Sequence, residues 1–201
     1  MTTLDAGITR ERALELLKEH NKDEFHIQHG ETLEGIMRYF AREYDPENEE
    51  FWGIAGLLHD LDWEEHSDDP PNHTLYATEI LRPEGASDPL IRAIQSHNHD
   101  ENPDLPFPEH QMEKLLYATD ELSGLIGAAI LMRPSGSVMD FEVSSLKKKF
   151  KNKNFAASCD RDVIRTGAEY LGWDLNELFD RTITAMRSFA PDKDTFVPAE
   201  A

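Results

Sequence analysis

Among the side chains of the types that hold transition metals, six stand out by position: His29, His59, Asp60, His73, His97 and Asp120. Each stands on the inward side of a helical pattern or at a helix end. Ionisable groups are rarely buried alone, because desolvation is costly unless the group is paired or binds a metal. Neutral imidazole and carboxylate are standard ligands for Zn, Fe and Mn. Together these donors suit two five- or six-coordinate ions with positions left for water, which is the equipment of metal-assisted hydrolysis or oxidation. An aspartate can also bridge two ions through its two oxygens. Taken singly, each residue has a plainer role. An inward histidine is more often a hydrogen-bonded core residue, and His73 alone reads as a surface residue at a helix start.

The helices that must position these groups follow from periodicity. The stretch FWGIAGLLHD puts Phe51, Ile54, Ala55, Leu57 and Leu58 at helical spacing and ends on the His59–Asp60 pair. Neighbours on a regular helix point about 100° apart, so both reach one ion only if the backbone turns there. Upstream, Thr9 caps a helix over 10–20, and Asp23 caps one reaching about Tyr44. On the latter, His29, Leu33, Ile36 and Phe40 share a face, and His26 lies close enough to join them. Asp45–Pro46 breaks that helix. Residues 61–72, LDWEEHSDDPPN, read as a polar loop over the surface or the site mouth, whose acids Asp62, Glu64 and Glu65 are most often just solvated. Asn72 is expected to cap a helix that holds His73 in its first turn. Asp88–Pro89 starts the next, with Leu90, Ile94 and His97 on one face and His99 off it. A proline-rich loop over 98–108 precedes a long helix from Glu109 to about Met132, with Asp120 inside an apolar segment. Asp160 caps a further helix to about Leu171, and Asp174 or Asn176 starts the last. No strand alternation is convincing, so the fold class is all-α.

Length, charge and cysteine content narrow the surroundings. The 201 residues suggest a single domain over 1–189 followed by a loose tail, 190–201. Forty acidic residues against 20 basic ones give a net charge of −20, which argues against nucleic acid or an anionic membrane as partner. The N-terminal MTTLDAGITR has no apolar run, and no segment suits a bilayer. The single Cys159 can form no internal disulfide, so the cytoplasm is the expected location. Against the acidic background stand five lysines within positions 147–153. Such a run is usually a solvated face; the sharper reading is a lip that attracts phosphate.

The ordered pattern H…HD…H…H…D resembles the HD-domain superfamily of metal-dependent phosphohydrolases. The segments HGETLEGIMRYFARE, FWGIAGLLHDLDWE, NHTLYATEIL, AIQSH, LLYATDELSGLI and SSLKKKFKNKNFA look like a bacterial subgroup of small HD hydrolases, over roughly residues 20–190. The resemblance implies a compact multi-helix bundle. By it, His29, His59, Asp60 and Asp120 hold one ion, Asp60 bridges, and His73 and His97 complete a second site; His59 and Asp60 form the catalytic doublet. Two departures bear on activity. Asp62 stands where several branches carry glycine. Trp63 and Glu64 stand where mononuclear guanosine-polyphosphate hydrolases carry a Glu-Asp pair, which favours two metals.

The expected activity is hydrolysis of a phosphate ester or anhydride in a small nucleotide-like substrate, with two divalent transition ions drawn from Fe, Mn, Ni, Co or Zn. Arg133, Lys148 and Lys149 are the candidate phosphate contacts. Glu34 could orient His29, or form a surface salt bridge. The same six ligands would serve a di-iron oxygenase of the superfamily acting on a small organic substrate, which iron content with oxygen consumption would distinguish. A non-catalytic metal-binding regulatory module is the third class, and no second domain for it to regulate is evident.

Overall fold

The computed structural model describes residues 3–190; the tail expected over 190–201 lies outside these apart from Ala190. Among the described residues there is no strand, and the expected all-α class holds. None of their helices is long and apolar enough to cross a membrane. The chain divides into two compact units after Tyr117, within a long helix.

The first unit is organised around α3, Glu49–Leu58. Every residue from Phe51 to Leu58 is buried, so this helix has no polar face and must be covered all round. It packs chiefly on α2, Glu24–Tyr44, and also on α1, Arg10–His20, and α6, Asp88–Ser96. Two glycines set the α2–α3 approach. A Cβ on Gly56 would stand 2.6 Å from the Leu33 carbonyl oxygen, and one on Gly30 would stand 2.8 Å from that of Leu57. Only glycine lets the two backbones come so near. The expected caps form: Thr9 accepts from the Arg12 amide and Asp23 from that of Phe25. The α6 cap is Ser87, one residue earlier than the Asp88–Pro89 start suggests.

Residues 61–74 depart most from the sequence reading. They hold a short helix α4, Trp63–His66, and a 3₁₀ turn, Pro70–Asn72, instead of a loop. The helix expected from His73 begins at Leu75 (α5, Leu75–Leu81). Asn72 bonds the Asp69 carboxylate, not the helix start. Thr74 sits at φ 71, a left-handed conformation that cannot begin a right-handed helix, and its amide donates to Asp62. Glu64 also has a structural task. Its carboxylate accepts the Lys22 and Asp23 amides and lies 3.0 Å from His26 Nδ1, which ties α4 to the start of α2.

The second unit begins inside α7, Gln111–Leu131, and continues with α8, Val143–Lys151, α9, Arg161–Leu171, and α10, Leu175–Phe189. Helix α10 packs on α8 and α9, with Phe150 and Phe179 rings 5.2 Å apart. Asp160 and Asp174 provide the N-caps. A Cβ on Gly167 would lie 2.5 Å from Ala118 Cα, so α9 and α7 touch through small residues. The loop before α9 wraps a buried Arg161, whose guanidinium donates to the carbonyls of Phe155, Ala156 and Cys159.

Candidate metal centre

Helix α3 ends at Leu58, and His59 and Asp60 lie in the turn that follows. The backbone therefore turns where the adjacent ligands need it to. His59 is fully buried, and its Nδ1 donates to the Gly56 carbonyl at 2.8 Å. That fixes the tautomer and leaves the Nε2 lone pair facing inward. His97, the residue that ends α6, repeats the device, with Nδ1 2.6 Å from the Ile94 carbonyl. His73 is held differently. Its Nδ1 lies 2.9 Å from Oδ1 of Asp62, a carboxylate that is completely buried.

These rings meet around Asp60, and its two oxygens divide them into two pairs. Oδ1 lies 3.0 Å from His73 Nε2 and 3.5 Å from His97 Nε2. Oδ2 lies 3.4 Å from His59 Nε2 and 3.6 Å from His29 Nε2. Within each pair the Nε2 atoms are 3.2 Å apart. For His73 and His97, both Nδ1 positions already donate outward. Two lone pairs and a carboxylate oxygen thus converge, an arrangement that needs a cation, whether proton or metal, between them.

The electrostatics agree. Burial works to raise the Asp60 carboxyl, but His59, by its charge and a hydrogen bond, together with His73 and His97, holds it well below the usual range. Burial works to lower His73, but Asp60 and Asp62 outweigh it and push the imidazole up to about 9. Without metal the centre retains a proton. A divalent ion would replace that charge, and the donor set of imidazole nitrogens and carboxylate suits Fe, Mn, Co, Ni or Zn. The clusters are therefore compatible with divalent metal.

A family model for the HD domain matches residues 26–125. Those residues form an HD domain. The superfamily is predominantly one of metal-dependent phosphohydrolases, and the match runs from His26 past Asp120. No curated protein and no solved structure matches the chain significantly.

In the HD domain of this chain, the sequence-selected His29, His59, Asp60, His73 and His97 come together. His73 is buried rather than at the surface. His99 bonds the Leu105 carbonyl and His26 faces Glu64, so both rivals are engaged elsewhere. Glu34 pairs with Arg10 at 2.8 Å and Arg38 at 3.0 Å, but as a buried group, not a surface one. Asp120 lies on the second unit's part of α7 and is half-buried. Also in that unit, Arg133 pairs with Asp140 at 2.7 Å, Lys149 Nζ stands 4.2 Å over the Phe155 ring, and Lys148 is exposed.

Asp62 is the functional residue that the solvated reading of residues 61–72 missed. The available signal was its position between Leu61 and Trp63, an acid in an apolar setting. Two aromatic neighbours were also missed: Trp63, 5.0 Å from the His73 ring, and Phe25, parallel to the His29 ring at 6.4 Å and half exposed.

Proposed function

We propose that this HD domain is a phosphohydrolase with a two-metal centre, cleaving a phosphate ester or anhydride of a nucleotide-like substrate. The observation that carries the reading is the division of labour on Asp60, with one carboxylate oxygen beside His29 and His59 and the other beside His73 and His97. His29, His59 and Asp60 would hold one ion, and Asp60, His73 and His97 the other. Bound divalent ions supply a water that ionises near neutral pH and polarise the phosphoryl oxygens.

The chain's own residues do the rest. Asp60 keeps four imidazoles in register. Gly56, Ile94 and Asp62 hold the tautomers of His59, His97 and His73. Phe25 and Trp63 offer aromatic faces beside the histidines, which suits a substrate carrying a planar base.

The test is metal analysis of untagged protein with phosphate release measured across nucleotides and dinucleoside polyphosphates. About two metals per chain with phosphate release, both lost in Asp60→Ala, is the expected result. Full activity in Asp60→Ala would overturn the assignment. Two irons with oxygen consumption and no phosphate release would identify the centre as an oxygenase.

A further inference from the structure

At the other end of α3 from His59, the first unit contains a cavity of about 590 Å³. This lies within the size range of small-molecule sites. About seven residues of helix, roughly 10 Å at 1.5 Å per residue, separate Trp52 from His59, so the cavity is distinct from the metal centre. Its wall includes Tyr44, Phe51 and His110, with Trp52 buried behind them and its ring 6.1 Å from that of His110.

The unusual group in this wall is Asp45. The residue is only 8% exposed. It accepts Asn48 Nδ2 at 2.8 and 2.9 Å and the Trp52 indole N–H at 3.3 Å. All of these donors are neutral, and among the described residues no cation comes within ion-pair distance of it. Buried carboxylates are normally paired with a positive charge. The nearest candidate in the wall, Arg92, is already committed to Glu113 at 3.0 Å and Glu109 at 3.2 Å. Glu113 in turn accepts that guanidinium and the amides of Glu109 and His110. With Arg92 and Glu113 cancelling, Asp45 leaves the wall with a net negative charge.

We propose that this cavity is a second ligand site, for an organic cation with an aromatic or apolar body. The ammonium or guanidinium group pairs with Asp45, and the body lies against Tyr44, Phe51 and His110, where ring faces also attract a cation. The site is independent of the proposed hydrolase activity.

Ligand-observed NMR on the full chain at physiological salt tests it, with tryptamine as the cationic probe and indole-3-propionate as its anionic counterpart. A chain of net charge −20 draws any cation, so the variants decide. Tryptamine is expected to bind, the anion not. Asp45→Asn should weaken tryptamine by at least about tenfold. Gln111→Trp, which puts a bulky side chain at another position of the cavity wall, should abolish binding, and Asp60→Asn in the metal centre should leave it unchanged. If Asp45→Asn does not fold, Gln111→Trp and the charge comparison carry the test. Equal binding of both probes, equal binding by wild type and Gln111→Trp, or no tryptamine binding at millimolar concentration would overturn the proposal.

Discussion

Replacing Asp62 with alanine tests whether the buried carboxylate behind His73 belongs to the metal centre. Asp62 touches no predicted ion. It lies 2.9 Å from His73 Nδ1 through one oxygen and accepts the Thr74 amide at 2.9 Å through the other. Removing it releases both at once. His73 loses the partner that fixes its ring and tautomer, and a buried amide at a left-handed φ of 71 loses its acceptor. Loss of such an outer partner typically weakens a metal about 10- to 100-fold, which is about 1.4–2.7 kcal/mol. The loss should fall on the ion beside His73 and His97, because His59 is held by Gly56 and is untouched. Competitive titration against a chelator should therefore show one weakened site and one unchanged site, with metal content after dialysis dropping by about one ion per chain. Asp62→Asn keeps an acceptor oxygen and should fall between. Unchanged affinity at both sites in Asp62→Ala would refute the orienting role, and equal weakening of both would refute the assignment of His73 to one ion.

Three further outcomes follow from the same structure. In metal-free protein the His73 imidazole is raised to about 9 from about 6.5 unfolded; its stabilisation is complete below about pH 6.5 and is lost as pH rises through about 9. Thermal unfolding of metal-stripped protein should show that decline, and metal-loaded protein, whose ligand is already neutral, should lack it. Burial, followed by Glu121, pushes the Cys159 thiol up to about 12, so alkylation at about pH 8 should be far slower than for an exposed cysteine and should accelerate on unfolding. Gly56→Ala forces a Cβ to 2.6 Å from a carbonyl oxygen and should cost about 1–3 kcal/mol in denaturant unfolding, with weaker metal retention because α3 carries His59 and Asp60.

The helices and the ligand stripe were legible because both rest on periodicity. His29 falls in line with Leu33, Ile36 and Phe40, and His97 with Leu90 and Ile94, so burial of the apolar residues carries the histidines inward. His73 follows no such stripe. Its place depends on Thr74 adopting a left-handed conformation and on Asp62 turning inward, and neither is a matter of spacing. Acids in a run such as DWEEHSDD look alike in sequence. Only tertiary contacts separate Asp62, which binds His73, from Glu64, which accepts the Lys22 and Asp23 amides, and from Asp68, which is exposed. The close α2–α3 crossing was equally silent, because a glycine inside a helix announces nothing about the backbone opposite.

The burial of every α3 residue from Phe51 to Leu58 has a consequence for the order in which the first unit comes apart. A helix segment with no wet side has no local route to open, so amides near its C-terminal end exchange with solvent only when the whole unit unfolds. The His59–Asp60 doublet is attached to that end. Stripping the metal would then loosen the segment around Asp62 and His73 first and leave the doublet in place, so a returning ion would find half its coordination already built.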